Sequence, residues 1–178
     1  AVSCGNTGAL MAVSMIRLRK LPGVNRPAIA CLWPCRAPHG FAVMLDVGAD
    51  VKADAPDLLQ YAMMGASYAR NGLGVARPRV GLLNVGTEEH KGRSEIKEAQ
   101  ELIAAATDTG GFEYVGFVEG NDLPSGRVDV IVANAPDDHV LPVDAVHGSF
   151  DEPIVLIATA NQGPRFDDPS LGTPPAQG

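Results

Sequence analysis

Short apolar runs alternate along this chain with longer amphipathic stretches, and that alternation limits the fold more than any other feature. The apolar runs are rich in small and β-branched residues, which is typical of strands buried on both faces of a sheet. They read "PAIACLW", "GFAVMLDVG", "PRVGLLNVG", "FEYVGFVEG" and "VDVIVAN". The connections are too long for hairpins, so the pattern predicts βαβ units: an α/β fold with a mostly parallel sheet and helices on both faces.

The amphipathic stretches carry helix start and stop signals. One begins at Asp54, has Pro56 in its first turn, and predicts a glycine C-cap near Gly72. In "SEIKEAQELIAAAT" four apolar residues share one face at helical spacing: Ile96, Ala99, Ile103 and Ala106. A further helix is predicted over "GALMAVSMIRLRK", ending at the "LPG" that follows.

The composition excludes several classes of function. Acidic residues outnumber basic ones 21 to 14 and the formal charge is −7, whereas nucleic-acid binding needs clustered lysine and arginine. We therefore expect no nucleic-acid partner, and any anion site must be local. No apolar run of the sequence approaches the ~20 residues that span a bilayer, so no transmembrane segment is predicted.

The cysteines favour a reducing, cytoplasmic setting. There are three of them, an odd number, and the sequence shows no signal peptide, so a disulfide framework is not expected. Cys31 and Cys35 have no second Cys/His pair downstream, whereas structural zinc needs four ligands. We therefore predict no metal site.

The character of the chain changes after Val132. The segments that follow are rich in proline, aspartate and glycine, and only "IVLIATA" among them resembles a strand. We predict one domain over residues 1–132 and a divergent tail over residues 133–178, whose last part, residues 161–178, is disordered. The start at "AVSCGN", without a methionine, indicates a fragment of a longer protein.

Ligands of open α/β sheets bind outside the carboxyl ends of the strands, and the loop "SCGNTGA" is a candidate by that rule. Gly5 and Gly8 allow close approach of a ligand to the backbone, and the amides of Asn6, Thr7 and Gly8 would point outward at the positive end of a helix. That arrangement binds phosphate or carboxylate groups. A strand-to-helix turn with a good N-cap explains the same residues, and Cys4 has no partner base that would make it a nucleophile.

Two more loops of this kind follow strands. In "LDVGAD", Asp46 could accept a hydrogen bond from a ligand or could position the loop, and the residues leave both readings open. In "GTEEHKG", the ammonium of Lys91 could meet the anion held by the first loop. Glu88 and Glu89 could act as general bases, could hold the lysine, or could be solvated, and spacing alone favours a solvated turn.

Four segments, taken together and in order, resemble the acyl-acyl carrier protein:phosphate acyltransferases, the PlsX family. They are "VSCGNTGALMA", "LDVGADVKADAPDLLQYAMMGASYA", "PRVGLLNVGTEEHKGRSEIKEA" and "VGFVEGNDLPSGRVDVIV". The resemblance runs from about Val2 to Val132. It implies a three-layer α/β/α fold similar to phosphotransacetylases. It also implies synthesis of acyl phosphate from fatty acyl-acyl carrier protein and inorganic phosphate, for bacterial phospholipid synthesis, with no cofactor.

The resemblance also implies roles for individual residues. Orthophosphate is the nucleophile, so the protein must hold it and stabilise a tetrahedral oxyanion. Lys91 is the residue implied for phosphate or oxyanion stabilisation, with Glu88 and Glu89 in the catalytic set. The residues implied for phosphate binding are Asn6, Thr7, Gly8, Asp46, Gly86 and Thr87.

The partners implied are an acyl carrier protein, inorganic phosphate and, in the full-length family, a second copy of the chain. Acyl carrier proteins are acidic, and the densest basic stretch here comprises Arg17, Arg19, Lys20 and Arg26. Cations that favour a helix C-terminus explain this stretch equally well. The resemblance implies a cytoplasmic protein with peripheral contact to the inner membrane.

This chain departs from the family's pattern in ways that bear on activity. Cys4 stands where the family usually has alanine. The family continues past "VDVIV" with a D-G-F-x-G-N motif, which "ANAPDDHVLPVDAV" does not match, and Asn134 is no substitute for its asparagine. We hypothesise a frameshift, a gene-model error or an artificial junction, which the other reading frames of the DNA would test. Alternatives are a phosphotransacetylase-like enzyme acting on acyl-CoA and an inactive fragment that retains only anion binding.

Overall fold

The computed structural model describes residues 7–18, 20, 22–46, 53–83, 94–133 and 155–157, with backbone only for residues 7–10, 18 and 155–157. The helices are α1 (Thr7–Leu18), α2 (Ala55–Leu73), α3 (Ser94–Ala105) and α4 (Thr107–Gly110), and a 3₁₀ helix spans Gly120–Ser125. The strands are β1 (Ala28–Pro34), β2 (Phe41–Leu45), β3 (Arg79–Leu83), β4 (Glu113–Val118), β5 (Val130–Val132) and β6 (Val155–Ile157).

The six strands form one mixed sheet in the order β4-β3-β5-β2-β1-β6. The four strands from β4 to β2 are mutually parallel, whereas β1 is antiparallel to both of its neighbours. The mostly parallel α/β sheet predicted from the sequence is therefore confirmed. β6 lies within "IVLIATA", the run in the tail that resembled a strand.

Helical elements cover both faces of the sheet. On one face, α2 and α3 pack on alternate residues of the strands, such as Val43, Leu82 and Val130. The opposite face carries Met44, Ile131 and the other alternate residues, covered in part by the 3₁₀ helix. Helix α1 lies on this second face as well, because its Met11 packs against Ile29 of β1, which points away from α2. The three-layer α/β/α arrangement is confirmed.

Helix α2 is the central helix of the first layer, and its ends follow the local sequence. The Asp54 side chain accepts a hydrogen bond from the Asp57 amide at 2.9 Å, and Pro56 lies in the first turn, as predicted. The helix continues through Gly72 and ends at Leu73, and Gly74 forms the C-cap with φ 70°. The predicted cap near Gly72 is two residues early, since either glycine of "NGLG" could supply the left-handed turn.

The hairpin formed by β1 and β2 is the main departure from the prediction. Trp33 is paired with Ala42 and Pro34 with Phe41, so the two strands are antiparallel neighbours joined by residues 35–40. The Cys35 amide donates to the Gly40 carbonyl at 2.9 Å and closes this loop. The connection lengths predicted no hairpins, and this prediction is wrong for β1 and β2, whose loop of residues 35–40 is closed by that hydrogen bond.

Candidate functional site

Several strands meet in one row at the carboxyl ends of the parallel strands. The last residues paired across β2, β5 and β3 are Leu45, Val132 and Leu82. The row consists of the residue that comes next on each of these strands. The Asp46 amide donates to the Ile29 carbonyl at 2.8 Å, which brings β1 into the same row. The residues of this row, which we call the carboxyl row, are Ile29, Asp46, Ala133 and Leu83.

β3, β5 and β2 are adjacent in the sheet, and the described residues of each end in the carboxyl row. Neighbouring strands lie ~4.8 Å apart, so the backbones of Asp46 and Leu83, which flank β5, are roughly 10 Å apart. The segment that contains "GTEEHKG" starts after Leu83, and "LDVGAD" continues past Asp46. Two of the three candidate loops therefore start from the same edge of the sheet, as the rule for open α/β sheets requires.

Most of the predicted site residues lie outside the described residues. Those outside are Asn6, Gly86, Thr87, Glu88, Glu89 and Lys91. The described members of the predicted set are Asp46 and, by their backbones, Thr7 and Gly8 in the first turn of α1. The roles of all nine residues remain predictions.

Asp46 occupies an unusual position at the end of β2. Its residue surface is 3% exposed, and its φ is 62°, the only positive φ among the described non-glycine residues. The left-handed region is disfavoured for a residue with a Cβ, although aspartate tolerates it better than most. A buried carboxylate on a left-handed backbone, at the edge where ligands bind, is the feature of the described residues most suggestive of function.

Helix α1 contacts the carboxyl row through Met11. Met11 is 4% exposed and forms a small buried cluster with Ile29, which is 6% exposed. Since Ile29 also accepts the hydrogen bond from Asp46, the first half of α1 and Asp46 share a neighbour. The first turn of α1, with Thr7 and Gly8, therefore belongs to the same part of the molecule as Asp46.

A second polar cluster lies at the opposite, amino-terminal edge of the sheet. Asp129 precedes β5 and is 3% exposed, and its carboxylate accepts bonds from Arg79 Nε at 2.9 Å and Nη2 at 2.8 Å. It also accepts from the Arg79 amide at 2.8 Å, and His39 Nε2 lies 3.3 Å from Oδ1. Burial alone would raise the pKa of this carboxyl, but the bonds from Arg79 and His39 outweigh it, so the pKa lies below its ordinary value. This cluster joins β3, β5 and the hairpin loop.

The basic stretch after α1 is only partly a free cationic surface. Arg17 is exposed in the last turn of the helix, and the exposed Lys20 donates to the Asn25 carbonyl at 2.8 Å. Arg26 is half-buried; burial and the charge of Asp54 raise the pKa of the nearby Asp57 carboxyl, and the charge of Arg26 partly opposes them. Arg19 lies outside the described residues.

Two further properties concern the described part of the chain only. Within the described ranges, no group of three or more His, Cys, Asp or Glu side chains is placed to hold a metal ion. Among the helices of these ranges, none is long and apolar enough to cross a membrane. Cys31 and Cys35 are half-buried free thiols, and burial raises the pKa of Cys31 to about 11.

The architecture is that of phosphotransacetylase-like α/β/α proteins. Among solved structures, EutD phosphotransacetylase from Staphylococcus aureus superposes with a TM-score of 0.53 at 16% identity, over 76% of this chain and 45% of that one. The profile of the family described as "Fatty acid synthesis protein" matches residues 1–141, and the chain belongs to that family.

Curated relatives agree with the resemblance read from the four motifs. Proteins named phosphate acyltransferase from Paracoccus denitrificans and from Jannaschia sp. are 77% and 78% identical over 134 residues, which is 75% of this chain. The resemblance to the phosphate acyltransferases is thereby confirmed. The chain spans 36% and 37% of the lengths of these two relatives, about a third of each.

Sequence reasoning did not single out the residues that connect these regions. Met11 and Ile29 looked like ordinary apolar residues, and nothing in their spacing links them to Asp46. Asp129 left a clearer signal, since it is an aspartate at the head of the apolar run "VDVIV". A buried acid inside such a run needs a cationic partner. Arg79, a basic residue at the start of another predicted strand, is a candidate for that partner.

Proposed function

We propose that this chain is part of a phosphate acyltransferase that makes acyl phosphate from a fatty acyl-acyl carrier protein and inorganic phosphate. The observation that carries the proposal is the 77% identity over 134 residues to a protein named phosphate acyltransferase. The family match over residues 1–141 includes every residue in the proposed site. The product would serve bacterial phospholipid synthesis.

The proposed reaction needs little covalent chemistry from the protein. An oxygen of orthophosphate attacks the thioester carbonyl carbon, the carbon–sulfur bond breaks, and the thiolate of the carrier leaves and takes up a proton. The protein has to hold the phosphate next to the thioester and to stabilise the oxyanion formed on the carbonyl oxygen. Both tasks are electrostatic, so a lysine and main-chain amides suffice.

We assign the anion-holding groups to the first turn of α1 and to the loop after β3. The amides of Asn6, Thr7 and Gly8 would donate to the phosphate at the positive end of the helix. The ammonium of Lys91 would neutralise the phosphate or the developing oxyanion. Support comes from the described elements, because α1 packs on Ile29 and the loop starts from Leu83, two residues of the carboxyl row.

The remaining residues of the proposed site have supporting roles. Glu88 and Glu89 would accept a proton from phosphate or hold the lysine, and Gly86 and Thr87 would let the loop approach the anion. Asp46 would shape the pocket, as its buried, left-handed position at the end of β2 suggests.

We propose that the acyl donor arrives on an acyl carrier protein that docks on the basic stretch after α1. Arg17 and Lys20 are exposed there and would meet acidic residues of the carrier. In the full-length protein we further propose a homodimer, a cytoplasmic location and peripheral contact with the inner membrane. The resemblance assigns the dimer and the membrane contact to regions of the family that this chain does not match.

The test is acyl phosphate formation by a full-length relative that carries the site of this chain. We expect turnover with acyl-acyl carrier protein, and loss of at least a hundredfold in kcat when the lysine at position 91 becomes alanine, as for removal of an oxyanion-stabilising group. Lys97→Ala on the exposed side of α3 is the matched control and should keep full activity. Preference for acyl-CoA would favour the phosphotransacetylase-like alternative, and near-normal activity of Lys91→Ala would remove that lysine from the mechanism.

The 178-residue chain itself is tested by its thermal stability in phosphate. A ligand that binds only the native state at ten times its Kd stabilises it by about 1.4 kcal/mol. A rise in Tm with millimolar phosphate, but not with equal chloride, would show that the chain keeps its anion site. No rise would indicate an inactive fragment.

A further inference from the structure

Two described side chains of helix α1 are buried, Met11 and the polar Ser14. Of its described side chains, residues 11–17, Met11 alone belongs to a buried apolar cluster. Val13, Met15 and Ile16 are 57%, 36% and 79% exposed. The position of α1 on the sheet therefore depends on the contact between Met11 and Ile29 more than on any other described apolar contact.

The partner in this contact is bonded to Asp46. The Ile29 carbonyl oxygen accepts the hydrogen bond from the Asp46 amide, at the residue where β2 turns into the left-handed conformation. The side chain of Ile29 thus meets α1 while its backbone holds Asp46. One residue joins the helix that begins at Thr7 to the carboxyl row.

We propose that Met11 is a positioning residue for the phosphate site: by packing on Ile29 it holds the first turn of α1 at a set distance from Asp46. This inference rests on the proposed function, in which the amides of that turn bind phosphate. Met11 lies four residues after Thr7, or about 6 Å along the helix axis. A displacement of ~1 Å at a reacting group can cost 10²-fold in rate, so loss of this contact should weaken the site.

The chain contains its own control for this idea. Met15 is the same residue type on the same helix, one turn later, but it is 36% exposed where Met11 is 4% exposed. Met11→Ala and Met15→Ala remove the same side-chain atoms from α1, and both change the helix propensity by the same amount. Met11→Leu conserves the volume and the contact, so it should restore what Met11→Ala loses.

The experiment measures the Kd of inorganic phosphate for the 178-residue chain by calorimetry, together with Tm in the absence of phosphate. We expect Met11→Ala to raise the Kd about tenfold, and Met11→Leu and Met15→Ala to stay within twofold of the unsubstituted chain. A merely structural role would lower Tm without changing the Kd, because the folded molecules would keep their site. In a full-length relative, Met11→Ala should raise the KM for phosphate and leave the KM for the acyl donor unchanged.

Three results would overturn the inference. An unchanged Kd in Met11→Ala would show that the contact does not position the site, and an equal loss in Met15→Ala would show that the effect is not specific to it. Absence of phosphate binding by the unsubstituted chain would show that this chain lacks the proposed anion site and would overturn this inference with it, which distinguishes that failure from the first two. If Met11→Ala does not fold, Ile29→Val trims the same contact from the other side and should raise the Kd by a smaller, measurable factor.

Discussion

The two ends of the parallel strands differ in the contacts and backbone conformations of their residues. At the amino ends, the Asp129 carboxylate is held by three bonds from Arg79, a charged pair that ties β3 to β5. At the carboxyl ends, Asp46 is buried on a left-handed backbone, and Met11 of α1 packs on Ile29. One end is stabilised by paired charges, and the other carries a buried aspartate in a disfavoured backbone conformation, at the edge where we propose that phosphate binds.

This difference suggests that stability and phosphate binding are separable in this fold. The bonds between Arg79 and Asp129 stabilise the amino end of the sheet. The end that we propose to bind phosphate carries the conformational cost, as functional sites commonly do. Substitutions at the amino end should therefore lower Tm with little change in phosphate affinity, and those at the carboxyl end should do the reverse.

The largest loss of stability is expected from Asp129→Ala. Removal of the carboxylate leaves the Arg79 amide without this partner and the guanidinium with only its bond to the Gly126 carbonyl, which should cost about 3 kcal/mol, or roughly 10 °C in Tm. Asp108→Ala is the control, because Asp108 forms an exposed ion pair with Arg77 at 3.6 Å and such pairs contribute little. Thermal melts of both variants, with and without phosphate, would break the comparison if Asp129→Ala lost phosphate affinity or if Asp108→Ala were equally destabilised.

The next largest effect should come from Gly65→Ala, beneath α2. A Cβ at this position would clash with Leu45 Cδ1 and Val130 Cγ1, so these buried side chains or the helix would have to shift. We expect a loss of about 2 kcal/mol from this overpacking. In Gly72→Ala on the same helix, the new Cβ meets only the Tyr68 ring at 3.3 Å, and the gain in helix propensity should leave stability equal or higher. Equal denaturant midpoints for the two variants would contradict the packing seen here.

Paired substitutions at Asp46 separate its backbone conformation from its carboxylate. Both Asp46→Gly and Asp46→Ala remove the side-chain oxygens, but only glycine adopts φ 62° without strain. Asp46→Gly should therefore be more stable than Asp46→Ala by about 1 kcal/mol. If the carboxylate shapes the phosphate pocket, both variants should bind phosphate more weakly by the same factor. Wild-type affinity in Asp46→Gly would assign Asp46 a backbone role only.

The smallest effect concerns pH and again falls at the amino end. The folded-state pKa of Asp129 lies below its unfolded value of about 3.9, so its charge contributes stability that is fully present above about pH 4. That contribution is lost as the pH falls through the folded pKa. The difference in unfolding free energy between the unsubstituted chain and Asp129→Asn should shrink as the pH falls below about 4. Urea unfolding above and below this pH would contradict the assignment if the difference stayed constant in acid.

The fold could be predicted from the sequence where local signals agree with the final packing. Asp54 and Pro56 start α2 as expected, and Ile96, Ala99 and Ile103 of α3 are buried on one face. The hairpin of β1 and β2 could not be predicted, because its loop contains no tight-turn pair. The loop is closed instead by the backbone hydrogen bond between Cys35 and Gly40. Turn signals in the local sequence do not predict a loop that is closed in this way.

The candidate site could be predicted only in part, for a related reason. Glycines and charges after apolar runs identify the loops, and strand order then places two of them at the carboxyl row. The contact between Met11 and Ile29 and the pairing of Arg79 with Asp129 join residues that are far apart along the chain. Such long-range contacts are set by the topology of the sheet, which single-sequence periodicity does not specify.

The most direct test of the anion site is an experimental structure of the chain with phosphate bound. We expect one phosphate at the carboxyl row, within hydrogen-bond distance of both the Lys91 ammonium and the amides of the first turn of α1, beside Asp46. A phosphate held elsewhere, or a Lys91 side chain directed into solvent with the α1 turn empty, would contradict the proposed mechanism.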